Sequence, residues 1–462
     1  MAVARMESWV SPHHVDELAA ALHDPAEFAE RRRKALSLVA ELPLEPNPLY
    51  RKYGYFAGVD LTGIDALPKG APVPLPPALP HTVRVVHDAS GTRIESPTSV
   101  RDVGVTATPL AEIWSGPPEE RAEFLRGTEV PSDRLSALGL TLLNRGYRLV
   151  VPNDCPRPVH VQDITVLSQP HEALDVRRSL KVGKDARLLV SEEVYSAASG
   201  PGHQRLYGSS VDVDAGPGSQ VAYLTVHAPD PQAVSAYARH ATTEAGAKLG
   251  WIWTGFGGFR TKARNRTTLR GNGSDVEDLQ TFFGDGDQSY DSAVDLTHTG
   301  TDTHGQSITR GVFKDRARGM SRGLVRIEKE ARKTISYISE HAMLLAKGAR
   351  SDTIPILEIL CRDVKATHST SVAPVDPERV FYLESRGLPR STAIRMIGEG
   401  FLSHVLERAP IANLRELLYP TLAVRWDGGM PVWQDGDFPS LPALHFSGTD
   451  VGTDWRFDAK LR

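Results

Sequence analysis

From about residue 82 to 372 the chain is written in short alternating runs broken by glycine, such as QVAYLTVHA (220–228), KLGWIWTGF (248–256) and GLVRIEKEA (323–331). Alternation with a period of two places successive side chains on opposite faces of a strand, and long helical periodicities are scarce in this stretch. So many short strands in almost 300 residues leave three architectures open: a sandwich, a barrel or a coiled β-solenoid. No fixed repeat length separates them.

The flanks read differently. Val15, Leu18, Ala19 and Leu22 fall at helical spacing, and Asp24-Pro25-Ala26-Glu27 then offers an N-cap, a proline at N1 and a capping-box glutamate. The second helix carries Phe28, Ala35, Leu36 and Val39 on one face, with Arg31 to Lys34 mostly turned to water. The stretch LPKGAPVPLPPALP (67–80) reads as a linker. Helix signals return at Asp376-Pro377, followed by Val380, Leu383 and Glu384, with Gly387 placed as C′. A further helix begins near Ser391 with a stripe of Ile394, Ile397, Phe401 and Val405, and a short one surrounds Leu414, Leu417 and Leu418 beyond Pro410. The tail from Trp426, with three tryptophans and DGG and DGD turns, is expected to be ordered but irregular and to pack back on the body. The division is therefore a helical region with a Pro-rich linker (1–81), a β core (82–372), a C-terminal helical region (373–420) and an irregular tail (421–462).

A chain of 462 residues can fold by burial alone, without a disulfide framework, and its two cysteines, Cys155 and Cys361, are too sparse for one. With 53 basic against 57 acidic residues there is no general attraction to nucleic acid or an anionic membrane. The start MAVARMESWVSPHH lacks the apolar stretch of a secretory signal, and no run approaches the ~20 residues that span a bilayer. A soluble, cytoplasmic protein with no nucleic-acid or membrane partner is the expectation.

Few motifs carry chemistry. Gly319-Met320-Ser321-Arg322-Gly323 matches the GxSxG of esterases, but the residues after Gly323 alternate like a strand and no later aspartate and histidine complete a triad. Asp285, Asp287, Asp291 and Asp295 collect in GDGDQSYDSAVD, yet an EF-hand loop counted from Asp285 would need glycine at Tyr290 and glutamate at Leu296. Acidic turn residues are the simpler reading. Walker A, GxGxxG after a strand and HExxH are all missing, so nucleotide hydrolysis by this chain is not expected. His298 and His304 read as hydrogen-bonded residues of a Thr-rich strand. Cys361 stands seven residues before His368 in LEILCRDVKATHSTS. In an unbroken strand that odd separation points them to opposite faces, Leu357, Ile359 and Cys361 sharing one, so without a turn they cannot pair and Cys361 reads as a buried small apolar residue.

SDTIPILEILCRDVKATHSTSV followed by VDPERVFYLESRGLPRSTAIRMIGEGFLSHVL resembles the C-terminal signature of the SufB/SufD family, scaffold subunits of SUF iron–sulfur cluster assembly. The likeness runs upstream through GVFKDRARGMSRGLVRIEKEARKT and is specific over about residues 245 to 410. It implies a mainly β fold, a right-handed parallel β-helix core between N- and C-terminal helical regions. It also implies a SufB-like partner or a second copy of the chain, and docking of a SufC-like ABC ATPase by the segment from Asp376 to Pro410. There Phe381, Tyr382, Arg386, Gly387, Ile394, Met396 and Phe401 are candidate contacts, with ordinary helix packing as the competing role for the apolar ones.

SufB-like members carry a sulfur-accepting cysteine in a motif resembling S-x-V-x-C-D-x-L-L; here Ser336 to Leu344 reads SYISEHAML and puts Glu340 at that position. They also place glutamate after the strand-end histidine, where this chain has Ser369. The resemblance is thus to the SufD-like side of the family, which keeps the histidine alone. It implies that His368 faces a partner's cysteine as a ligand of a transient iron–sulfur cluster shared between chains, with Cys361 and Glu340 as lesser candidates and no cofactor held tightly by the isolated chain. A scaffold rather than an enzyme is implied, with ATP hydrolysis in the SufC partner. Reduced flavin in the complex is left open. The Ser369-Thr370-Ser371 run after the histidine and the long tail beyond Tyr419 depart from the family pattern. Two alternatives stand beside this reading: a self-sufficient homodimeric scaffold, and a carbohydrate-active β-helix enzyme enlisting Asp285 and Asp287.

Overall fold

The computed structural model describes residues 10–45, 59–128, 131, 133–197, 204–434 and 436–447. The expectations for the first nine residues and for the tail beyond 447 lie outside them. The core is a parallel β-solenoid of about eight turns. From Arg145 onward successive strands alternate between two sheets, and each pairs in parallel with the strand two further along the chain. Val234 pairs with Arg260 and Ala173 with Leu206, so one turn takes from 26 to 33 residues. That spread explains why no repeat length is visible in the sequence.

The inner faces of the two sheets enclose a filled lumen. Apolar residues such as Val161, Val190, Tyr223, Leu249 and Val276 form one end of the packing. Tyr237, Trp253, Phe282 and Tyr290 stack in a chain with ring centroids 5.0 to 5.3 Å apart. Between them runs an ion network. Arg178 donates to Asp163 at 2.5 and 2.9 Å, and Glu192 accepts from Ser209 (2.6 Å), Tyr207 (2.8 Å) and Thr225 (2.9 Å) beside Arg239. Burial pushes the Glu192 carboxyl up, but Arg178, Arg239 and the hydroxyl donors outweigh it and hold it at about 2.

The start of the solenoid is closed. Thr82–Asp88 pairs antiparallel with Gly91–Glu95, Thr106–Pro109 pairs antiparallel with Arg145–Val151, and the segment between them drives Val100 and Val105 into the lumen core. Four short helices, Thr98–Arg101, Leu110–Ser115, Pro118–Phe124 and Arg134–Leu142, interrupt this early part of the stretch read as strand-rich. The N-terminal helices Pro12–Ala21 and Ala26–Glu41 pack beside them, with Val15, Leu18 and Phe28 buried.

Two local expectations fail here for one reason. Asp24 caps nothing: its carboxylate takes Arg32 at 2.5 Å and the Trp114 indole N–H at 2.9 Å. Arg32, in the tract expected to face water, is fully buried and also donates to the Thr141 and Leu143 carbonyls. Tertiary partners outbid the local signal. The Pro-rich stretch is pinned along the solenoid, where Arg84 donates to the carbonyls of Pro76 and Pro77 and the Trp433 indole to that of Pro74.

C-terminal helices occupy Pro377–Ser385, Arg390–Leu406 and Leu414–Trp426. Asp376 accepts from the Glu378 amide as N-cap, and Gly387 adopts φ +88°, the left-handed C′ conformation that glycine favours. The second helix lies on the side of the solenoid, along strands Asp275–Gly284 and His304–Phe313, burying Leu402 and Val405. The third runs through Pro420 to Trp426, so the irregular tail starts after that residue. The tail then returns to the body: Trp433 packs on Tyr195, and Leu441, Leu444 and Phe446 join the same core.

Candidate functional site

The last strand of each sheet, Arg350–Ile359 and Val364–Pro374, has a neighbour on one edge only. Not one residue of either strand is fully buried. This is an open end of a solenoid, and every functional residue expected from the core lies on it or one layer beneath.

His368 is exposed on the terminal strand, in register with Ile338. Ser369, next along, meets the Tyr337 hydroxyl at 2.8 Å and His341 Nε2 at 3.2 Å on the outer surface. Alternation therefore turns His368 the other way, to the mouth of the lumen over buried Ile338. Cys361 is outside both strands, in the turn that joins them, which is the break that the parity argument required. It is half-buried rather than buried, packed with Leu357, Val364 and Ala366 on the lumen core, because no further turn covers this end. Among the described residues no hydrogen bond joins it to His368.

Glu340 lies one layer down, in register with Thr370 and 1 % exposed. Ser321 Oγ donates to its Oε1 at 2.6 Å, while Oε2 makes no well-formed hydrogen bond. Burial pushes this carboxyl up to about 7 against the pull of Ser321 and Arg322. Among the described residues no three His, Cys, Asp or Glu side chains converge as a metal site. The mouth thus offers an imidazole, a thiol and a protonatable carboxyl, each separate.

Sequence reasoning missed His341. Its Nδ1 meets Ser371 Oγ at 2.6 Å, so Ser369 and Ser371 are both tied to one imidazole. Burial, with Arg310 and His404, lowers its pKa and favours the neutral ring. The alternation of His341 with Ser339 and Met343 was the available signal, but only the register reveals what it faces.

On the helices Phe381 is 71 % exposed, Tyr382 57 % and Met396 48 %. Arg386 is also exposed, with its guanidinium 5.2 Å from the Tyr382 ring centre, beside exposed Gly387. Ile394 is half-buried, and Phe401 is occupied against the solenoid core with Arg310 4.7 Å over its ring. Phe381, Tyr382 and Met396 are thus exposed apolar side chains on two successive helices, with Arg386 beside Tyr382.

The other motifs resolve as structure. Ser321 sits mid-strand, bonded to Glu340, with no strand-to-helix turn. Asp285 pairs with Arg425 at 2.5 Å, Asp287 with Arg316 at 2.6 Å, Asp291 with Arg322 at 2.8 Å and Asp295 with Arg264 at 3.3 Å. Each carboxylate has its own cation, which removes both a calcium loop and a carboxylate pair. His298 is buried against Thr303 (2.9 Å) and Ser336 (3.2 Å), and burial with neighbouring His304 lowers it to about 3. Among the described residues no helix is long and apolar enough to cross a membrane.

Comparison with known proteins identifies the family. Residues 166–401 match the family model described as SUF system FeS cluster assembly, SufBD core domain. The chain is 28 % identical to the iron–sulfur cluster assembly protein SufD of Bacillus subtilis over 344 residues, 73 % of this chain and 77 % of that protein. It is 27 % identical to SufD of Escherichia coli over 173 residues, 37 % of this chain and 41 % of that protein. A SufBD family protein of Mycobacterium tuberculosis is 28 % identical over 212 residues, 46 % of this chain but only 25 % of that longer protein. With the matched core reaching from the strand Val159–Leu167 through the open end of the solenoid into the helix Arg390–Leu406, the chain belongs to the SufBD family of the SUF iron–sulfur cluster assembly system.

Proposed function

We propose that the chain is a non-catalytic scaffold subunit, of the SufD type, whose cluster site is completed by a second chain. The observation that carries this is the open end. Unpaired strand edges and exposed Ile359, Leu360 and Val372 (41 to 49 % exposed) are a surface that a soluble protein covers, and His368 stands in its middle. A neutral imidazole ligates iron, and one imidazole with a distant thiol is an incomplete ligand set, so a SufB-like partner supplies the rest. The nascent cluster is cargo here, held across the interface and released from it. Phe381, Tyr382, Arg386 and Met396 dock the SufC-like ATPase, whose hydrolysis works on the assembly in the cytoplasm.

The test is anaerobic cluster assembly on the complex with SufB-like and SufC-like partners, wild type against His368→Ala, monitored by visible absorption and iron content. A mutant complex that assembles but forms much less cluster is the expected result; undiminished cluster overturns the ligand role. Reconstituting the isolated chain separates the homodimeric alternative, which alone yields a stable stoichiometric chromophore without partners.

A further inference from the structure

The helix Arg390–Leu406 lies along strands Asp275–Gly284 and His304–Phe313, and the last two strands of the same sheet, Thr334–Leu344 and Val364–Pro374, extend beyond it as a ledge on the outer face. Arg310 stands at the step. It shares one row with Thr281 on one side and with His341 and then Ser371 on the other. The Phe401 ring of the helix stacks on its guanidinium at 4.7 Å, which fixes the plane of the group and leaves free its edge, where the N–H donors point.

No described carboxylate pairs with Arg310: burial disfavours its charge, and the Tyr337 phenol alone opposes that. Its Nε is buried without an acceptor, as is the Thr281 hydroxyl beside it, while its Nη groups reach solvent. The shortage of acid is written into the surrounding elements. Strands His304–Phe313 and Val364–Pro374 contain no acidic residue, and Thr334–Leu344 has only Glu340, which alternation turns to the opposite face. The one acid within the helix, Glu399, takes Arg395 at 2.6 Å. Glu277, about 13 Å along the strand from Thr281, takes Arg408 at 3.2 Å, and Asp275 is farther still. The floor of the ledge adds donors. Tyr337, Ser369, His341 and Ser371 form one hydrogen-bonded chain, with steps of 2.8, 3.2 and 2.6 Å. Burial, with Arg310 and His404, favours the neutral ring of His341. A neutral imidazole donates at one nitrogen and accepts at the other, so the chain runs one way and ends in an O–H without an acceptor, that of Ser371 or of Tyr337.

We propose that this ledge binds an oxyanion of the phosphate class, held by the edge of Arg310 and by the terminal hydroxyl of the Tyr337–Ser369–His341–Ser371 chain. The donors come from the step and from the floor, in different planes, which suits a tetrahedral anion better than a planar carboxylate. His368 points to the lumen while Ser369 and Ser371 point outward, so the ledge is separate from the cluster mouth and does not depend on the scaffold reading.

Inorganic phosphate is the probe, with acetate as the planar anion, each titrated calorimetrically into the full chain at millimolar concentration in chloride buffer. Saturable binding of phosphate is expected, with acetate weaker by about tenfold. Arg310→Gln should weaken phosphate by about tenfold, whereas Arg316→Gln, which removes an exposed guanidinium that Asp287 already holds at 2.6 Å, should leave it unchanged. Ser371→Ala or Tyr337→Phe, whichever removes the spare hydroxyl, should weaken it by about threefold, and both lie where a lost hydroxyl leaves the fold intact even if Arg310→Gln melts early. No saturable heat with phosphate overturns the proposal, and so does an equal loss in Arg316→Gln, the mark of an adventitious ion only. Acetate as tight as phosphate overturns the anion class, and binding undiminished in both hydroxyl variants overturns the role of the chain.

Discussion

Strand Asp275–Gly284 in the middle of the solenoid is buried along its whole length, whereas Val364–Pro374 at its end has no buried residue. The two have the same parallel geometry, but the first has a strand on each edge and the helix Arg390–Leu406 laid along it, whereas the second has a strand on one edge only. In a solenoid each turn is covered by the next, so an end has to be capped or left for another molecule. This chain caps its first end, with antiparallel strands and Val100 and Val105 pushed into the lumen. At the other it has a helix of 17 residues to spare and lays it along the side instead. The bare mouth is thus a consequence of topology: burial is concentrated in the covered turns, and the uncovered one is where the proposed function is placed.

Removing a charge from the closed part tests that contrast most severely. Arg178 satisfies Asp163 and Glu192 at no exposure, so Arg178→Met leaves Asp163 without its arginine and Glu192 with Arg239 alone. A loss of roughly 3–5 kcal/mol is expected in urea unfolding. Lys365→Met, at an exposed position of the terminal strand, should stay within about 0.5 kcal/mol. A comparable loss in both would mean that the end is as tightly held as the middle.

Glu340, one layer below the mouth, comes next in size. Its carboxyl is raised in the fold to about 7, so the native state holds a proton that the unfolded chain releases near 4.5. The folded pKa being the higher, the proton stabilises the fold at low pH, and that contribution declines as pH rises from 4.5 through about 7. Glu340→Gln keeps the shape and removes this slope, worth roughly 2–3 kcal/mol between pH 4.5 and 8. Subtracting mutant from wild-type unfolding energies across that range isolates it from Glu193 and Asp275, which burial raises in the same direction. A flat difference would place Glu340 in contact with water or with a donor beyond Ser321.

The elements most legible in the sequence were those set by local chemistry. Asp376, Pro377 and Gly387 bracket the helix Pro377–Ser385 where cap and C′ signals put them. The alternating runs were strands, but their solenoid winding came only through family resemblance, since turns of 26 to 33 residues leave no period to detect. Long-range partners stayed hidden for the same physical reason that they matter. Nothing local says that Asp24 will hold Arg32 and Trp114, or that Ser369 and Ser371 will share His341. His368 was proposed from the motif alone, while its aim toward the lumen came only from the register with Ile338.

On the C-terminal helices Phe381→Ser with Met396→Ser replaces side chains that touch little of their own chain, so unfolding should change by about 0.5 kcal/mol or less. Capture of a SufC-like ATPase should nonetheless be lost. Undiminished capture would move the docking surface off these helices.

The smallest effect on stability and the sharpest on assembly should come from the mouth itself. Ile359 and Leu360 are 43 % and 49 % exposed, and Ile359→Ser with Leu360→Ser removes apolar area that the isolated chain buries only in part. The single chain should therefore lose at most about 1 kcal/mol. In a complex that covers this end the same two side chains are fully desolvated, at roughly 25 cal/mol for each Å2 newly buried, so association falls where folding does not. Sedimentation with a SufB-like partner, and of the chain alone, distinguishes the partners. Weakened pairing with SufB assigns the mouth to the heterodimer, and a dimer of the chain that dissociates on mutation assigns it to a second copy. If neither changes, the open end is simply a tolerated edge, and His368 stands there without a partner to meet.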